Sequence, residues 1–188
     1  MLTRLILVWA LLVCGTAWAT DIAGVKIDDT LQLEERNLLL NGAGIRTRLF
    51  FKVYVAALYL PARTTRAADA LAMKSPKQIR LTLLREVDAD SFASAFAKGF
   101  DSNTPTAERD ALNSRVNAFN QLILSVGKAR EGDTFTLTLS GTDTVLALNG
   151  QPLGKPITGE DFYRALLRIW LGEQPVQADL KSALLGGR

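Results

Sequence analysis

Residues 40–61 read LNGAGIRTRLFFKVYVAALYLP, from Leu40 to Pro61. A glycine-flanked Asn41-Gly42 opens the stretch, and a run rich in aromatic and β-branched residues fills it, the composition of a central strand or hairpin. Arg46, Arg48 and Lys52 stand where a plain core strand would need no cation, so the stretch reads as a strand that also carries a site. Taken as one flat strand, it places Arg46, Arg48, Lys52 and Tyr54 on one face and Ile45, Leu49, Phe51, Val53, Val55 and Tyr59 on the other. At 3.3 Å per residue Arg46 and Tyr54 would then lie roughly 26 Å apart. A shared site therefore requires a bend, bulge or tight hairpin between Thr47 and Lys52, where no Gly, Pro or Asn marks one. The bland alternative is a solvated edge face for Arg46, Arg48 and Lys52, with Tyr54 and Tyr59 as core aromatics.

Upstream, Arg4, the apolar run Leu5–Val13 and Ala17-Trp18-Ala19 follow the plan of a secretory signal peptide. The expected organisation is thus a leader at 1–19, cleaved after Ala19, and one domain at 20–188, placed in the periplasm or secreted. The apolar run is shorter than the ~20 residues a permanent membrane helix needs, so no transmembrane segment is expected in the mature chain. Cys14 follows Val13, where a lipoprotein signal carries a small residue.

Composition removes whole classes of chemistry. The chain has no histidine, and its one cysteine lies in the leader, which excludes Ser-His-Asp and Cys-His machinery and zinc sites built on His and Cys. Asp28-Asp29 and Glu34-Glu35 lack calcium-loop spacing, so neither a metal nor a cofactor is expected. The net charge of +3 is spread along the chain and gives no argument for nucleic acid.

Further along, Ile22–Ile27 and Leu31–Leu33 are expected as short strands with Asp28-Asp29 turning between them, and Asn41-Gly42 as a tight turn. A short helix through Ala67–Leu71 precedes a half-buried strand over Gln78–Glu86. Helices follow over Asp90–Phe100 and from Thr104-Pro105 to Gly127, the second with a face of Leu112, Val116, Phe119, Ile123 and Val126. Thr134–Leu139 and Val145–Leu148 form a hairpin, and Asn149-Gly150 turns the chain into Pro152–Ile157. Thr158 and Asp161 have capping-box spacing ahead of a helix buried along Phe162, Ala165, Leu166, Ile169 and Trp170, and Gln177–Leu185 is a final helix. This order predicts an α+β fold, a large antiparallel sheet covered on one face by helices.

The blocks Gly42-Ala43-Gly44-Ile45-Arg46, Lys52–Leu60 and Ala165–Gly172, the last followed by Pro175-Val176 and Asp179-Leu180-Lys181, resemble the chalcone isomerase-like family, specifically its secreted bacterial branch. The resemblance implies an open-faced β-sandwich. It implies either of two activities: binding of a fatty acid, its carboxylate held by Arg46 and Tyr54, or cofactor-free intramolecular lyase (isomerase) chemistry on a chalcone-like phenolic or enone compound, with Arg46 stabilising a phenolate. A guanidinium with permanently charged planar donors beside a neutral phenol suits both. The pocket-lining Tyr, Lys and Asn of the enzymes are matched only by Lys98 and Asn103, as weaker candidates. The reading favoured is an exported protein binding a small amphipathic molecule in a cavity between sheet and helices.

Overall fold

The computed structural model describes residues 19–187. The expected leader lies outside the described residues except for Ala19. In chain order the elements are β1 (Ala19–Ile22), β2 (Val25–Asp28), β3 (Thr30–Leu33), β4 (Arg36–Arg48), β5 (Phe51–Leu60), α1 (Ala67–Ala72), β6 (Lys77–Leu83), β7 (Val87–Asp88), α2 (Ala89–Asn103), α3 (Thr106–Leu124), β8 (Lys128–Ala129), β9 (Thr134–Ser140), β10 (Asp143–Leu148), β11 (Gln151–Pro152), β12 (Ile157–Thr158), α4 (Glu160–Leu171) and α5 (Ala178–Leu184). An eight-stranded sheet runs in the order β11-β10-β9-β6-β5-β4-β3, with β12 also on β10. Every pairing in it is antiparallel. This is the expected α+β open-faced sandwich.

Strand alternation sorts the apolar side chains into two cores. Tyr54, Ala56, Leu58 and Leu60 of β5 face the helices together with Ile79, Leu81 and Leu83 of β6. Phe96, Phe119 and Phe162 from α2, α3 and α4 meet above them, with ring centroids 4.5 and 5.9 Å apart. Val55, Ala57 and Tyr59 point the other way, onto Ile27 of the β1–β2 hairpin and Leu38. The helix layer is tied to the sheet by polar contacts as well. Tyr163 of α4 donates to the Leu137 and Lys77 carbonyls at 3.1 and 3.3 Å, and the buried Lys77 ammonium holds the Ala70 and Leu71 carbonyls at the end of α1.

Three local expectations are corrected. Asn41-Gly42 does not turn the chain: β4 runs through it, with a shift of register between Leu40 and Gly42 that leaves Asn41 as a bulge. Asn41 instead donates to the Leu184 carbonyl at 2.7 Å and accepts from the Thr64 amide at 2.7 Å, so its side chain anchors α5 and the loop ahead of α1. Gly42 is required by close approach, because a Cβ there would overlap the Ala183 carbonyl oxygen of α5. The turn in the N-terminal hairpin lies at Ala23-Gly24, both left-handed at φ 54° and 82°, inside the stretch expected as one strand. Asp28 ends β2, and only Asp29 separates it from β3. The capping box is absent too: Gly159 occupies the cap of α4 with no side-chain bond, and Asp161 instead takes a bidentate pair of bonds from Arg115 of α3 at 2.7 and 2.9 Å.

The reversal that the central stretch needs is a two-residue turn at Leu49-Phe50, closed by the Arg48–Phe51 pair. Leu49 sits at φ 56°, a left-handed conformation costing a non-glycine residue about 1–2 kcal/mol. A left-handed first turn position ordinarily carries Gly or Asn, and with Leu there the sequence holds no signal for this turn.

Candidate functional site

The Leu49-Phe50 turn folds β5 back along β4 so that Arg46 pairs with Tyr54. Directly opposed residues of an antiparallel ladder project from the same face. The face is the one under the helices, where Tyr54 is buried. A second register shift follows at once, Thr47 pairing with Lys52 and leaving Val53 extra in β5. That bulge locally increases the strand's twist beside the pair.

Tyr54 accepts a hydrogen bond from the Trp170 indole N–H at 3.0 Å, the ring being delivered by the last turn of α4. Burial pushes the phenol's pKa up to about 12, outweighing the Trp170 bond and the nearby Arg46 charge, which lower it. The phenol is therefore neutral, and its own proton has no acceptor among the described hydrogen bonds. Arg46 is half-buried and donates to the Thr47 carbonyl and, at 3.2 Å, to Gln177 Oε1. Among the described residues it makes no ion pair. The pair thus sets a charged fork and a neutral hydroxyl on one face of the hairpin.

Gln177 closes this end of the sheet. Beyond Leu39, β4 has no strand on its outer side among the described residues. Gln177 Oε1 accepts from the Thr47 amide at 2.8 Å and its Nε2 donates to the Ile45 carbonyl at 3.4 Å. One side-chain amide thereby reproduces a step of β-ladder on an exposed edge. Gly44 allows α5 to lie against the same edge, since a Cβ there would approach Ala183 Cβ to 2.8 Å.

The other candidates lie elsewhere. Lys98 projects into solvent from α2. Asn103 at the end of α2 donates to the Gly99 and Gln174 carbonyls at 2.9 and 2.7 Å and accepts from the Gln174 amide at 3.0 Å. It clasps the loop after α4 and is committed on both sides of its amide. Trp170 and Gln177 are neighbours of the pair that the sequence reading does not name as site residues. An indole N–H in an apolar stripe demands a partner and could have pointed to Trp170, but nothing in the sequence marks Gln177.

Among the described residues, side chains pack the space expected between sheet and helices. A void of about 10 Å³ lies there, lined by Phe92, Ile123, Val126 and Phe135 among others, room for about one water molecule. Phe92 stacks on Phe135 at 5.1 Å beside it. A larger recess, about 220 Å³, opens on the opposite face beneath the β1–β2 hairpin, between Lys26, Ile27, Val55, Tyr59 and Arg80. There the Arg80 guanidinium lies 5.5 Å from the centre of the Tyr59 ring, and its Nε is buried without a hydrogen-bond partner. Among the described residues no three His, Cys, Asp or Glu side chains gather where they could hold a metal ion, and no helix is long and apolar enough to cross a membrane.

The fold is an antiparallel sandwich whose β4–β5 hairpin sets an arginine against a buried tyrosine. The family profile described as chalcone isomerase-like matches residues 19–186, and the chain belongs to that family. Among solved structures it is similar to a fatty-acid-binding protein of Arabidopsis thaliana, with a TM-score of 0.67 and 16% identity, covering 89% of this chain and 96% of that one. No curated protein matches it.

Proposed function

We propose that the mature chain, exported after loss of residues 1–19, binds a small amphipathic acid such as a fatty acid. The observation that carries this reading is the Arg46–Tyr54 pair: a cation without a carboxylate partner among the described residues, opposite a buried phenol whose proton is uncommitted. A carboxylate takes charge-assisted bonds from the guanidinium and a further one from Tyr54, and apolar burial of the tail contributes most of the affinity. The fatty-acid-binding neighbour supports the same ligand class. Because the void beneath Phe92 and Phe135 holds only about one water, binding opens the seam between the β4–β5 end, Trp170 and α5, and Gln177 yields its hold on Arg46. The lyase alternative is less well supported, since Lys98 is exposed and Asn103 is committed to the Gln174 loop.

Trp170 is the only tryptophan after residue 19, so intrinsic fluorescence reports this site alone. Titration with a long-chain saturated acid is expected to change that emission. Arg46→Ala should weaken binding about ten- to a hundredfold, the worth of hydrogen bonds to a charged group. Equal affinity of the two proteins would overturn the site.

A further inference from the structure

The tip of the β4–β5 hairpin presents Leu49, Phe50 and Phe51 to solvent at 82%, 95% and 57% exposure. Three consecutive exposed large apolar residues are a liability unless they serve a function, and here the turn holds Leu49 in a conformation that glycine or asparagine would adopt more easily. Around the tip stand Arg48, Lys52 and Arg85, all exposed, the last with its guanidinium 4.8 Å from the centre of the Phe51 ring. None of the three has a carboxylate within ion-pair distance among the described residues, and the neighbouring Glu86 is taken by Lys128 at 3.0 Å.

We propose that this tip docks on a lipid surface carrying anionic headgroups. Leu49, Phe50 and Phe51 enter the boundary between headgroups and acyl chains, and Arg48, Lys52 and Arg85 pair with the phosphates around them. A protein groove is a poorer match. Specific protein interfaces bury on the order of 1,200 Å² or more over a broad patch, whereas three side chains on a hairpin tip cover far less, and their flanks carry one sign of charge. The tip lies on the hairpin that holds Arg46 and Tyr54, so docking sets the seam of the proposed ligand site against the source of an amphipathic acid. That link rests on the fatty-acid reading; the docking itself does not.

The test is co-sedimentation of residues 20–188 with vesicles of phosphatidylglycerol and phosphatidylcholine, beside vesicles of phosphatidylcholine alone. Binding is expected on the anionic vesicles and should weaken as salt is raised. Leu49→Ser/Phe50→Ser should lose about ten- to a hundredfold, the value of withdrawing a large apolar side chain from the boundary. Arg48→Gln/Lys52→Gln should lose about fivefold per cation on anionic vesicles and nothing on neutral ones. The residues changed are exposed, so unchanged melting verifies folding. The chain after residue 19 has no cysteine, so Phe50→Cys carrying an environment-sensitive dye gives a second readout, a blue shift on vesicles. No vesicle binding by the parent chain, or equal binding by the Ser variant, would overturn the proposal. So would a dimer in ultracentrifugation that the Ser variant dissociates without any vesicle association. Fatty-acid titration of the Ser variant keeps the two readings apart: retained acid binding with lost vesicle binding supports docking as a separate function of the tip, and vesicle binding by a chain that takes no acid leaves docking intact while sinking the ligand site.

Discussion

Arg46 stands directly across the β4–β5 ladder from Tyr54, so a permanent cation flanks a phenol that burial keeps neutral and Trp170 keeps oriented. The guanidinium supplies charge, the phenol supplies one directed donor, and the two-residue turn at Leu49-Phe50 holds both in register.

Replacing the cation without replacing its geometry separates these contributions. Arg46→Lys keeps a positive charge but removes the planar fork that grips two oxygens at once. Its affinity for a long-chain acid, followed through Trp170 emission, is expected to fall about tenfold, between the parent chain and Arg46→Ala.

Tyr54→Phe removes the acceptor of the Trp170 N–H in a buried setting. A stranded buried donor costs about 1–3 kcal/mol, and urea denaturation should show that loss in full with an unchanged slope. Stability equal to the parent's would mean the indole finds another partner.

Gly42→Ala drives a methyl group into the Ala183 carbonyl of α5. The backbone has to move, so a loss of about 2–3 kcal/mol is expected. The displaced helix would also withdraw Gln177, and the Thr47 amide should exchange faster by hydrogen exchange.

Gln177→Ala tests the edge itself. The Thr47 amide and Ile45 carbonyl lose their shared partner, at about 1 kcal/mol since water partly replaces it. The free edge then invites pairing with a second copy, so concentration-dependent association by light scattering is expected only in the variant.

Alkaline pH should first strengthen and then weaken the fold. Burial lowers the Lys77 ammonium from 10.5 to about 8. Between those values the unfolded chain holds a proton that the folded chain has released, so stability rises with pH. Burial raises Tyr54 to about 12 and Tyr163 higher still, so their contribution is complete below the unfolded tyrosine value near 10 and is lost as pH climbs through the folded values. Denaturation midpoints are expected to peak at about pH 10. Lys77→Met should flatten the rising limb and Tyr54→Phe part of the falling one.

The fold was largely legible because its elements are encoded locally. The alternation of Ile79, Leu81 and Leu83, the helical stripe of Phe162, Leu166 and Trp170, and the Asn149-Gly150 turn each announce themselves within a few residues. Two of the misreadings share one cause. Asn41-Gly42 has the chemistry of a turn, but the partners that decide its conformation, Leu184, Thr64 and Ala183, are remote or belong to a helix at the far end of the chain. Leu49-Phe50 has no turn chemistry, yet turns because the strands on either side pair. At the site, Arg46 and Tyr54 could be named from their blocks, whereas Trp170 and Gln177 join them over more than a hundred residues of intervening chain.

By itself the sequence determined which residues could do chemistry: without histidine, and with its one cysteine, Cys14, in the segment expected as a leader, it left arginine, tyrosine and apolar surface. It also marked most of the strands and helices, through periodicities of two and 3.6 that need no tertiary partner. Only the tertiary structure decided that Arg46 pairs with Tyr54, that Phe92 stacks on Phe135 beneath the helices, and that Leu49, Phe50 and Phe51 stand exposed. These depend on ladder register and on packing between distant segments, interactions that no local window of sequence contains.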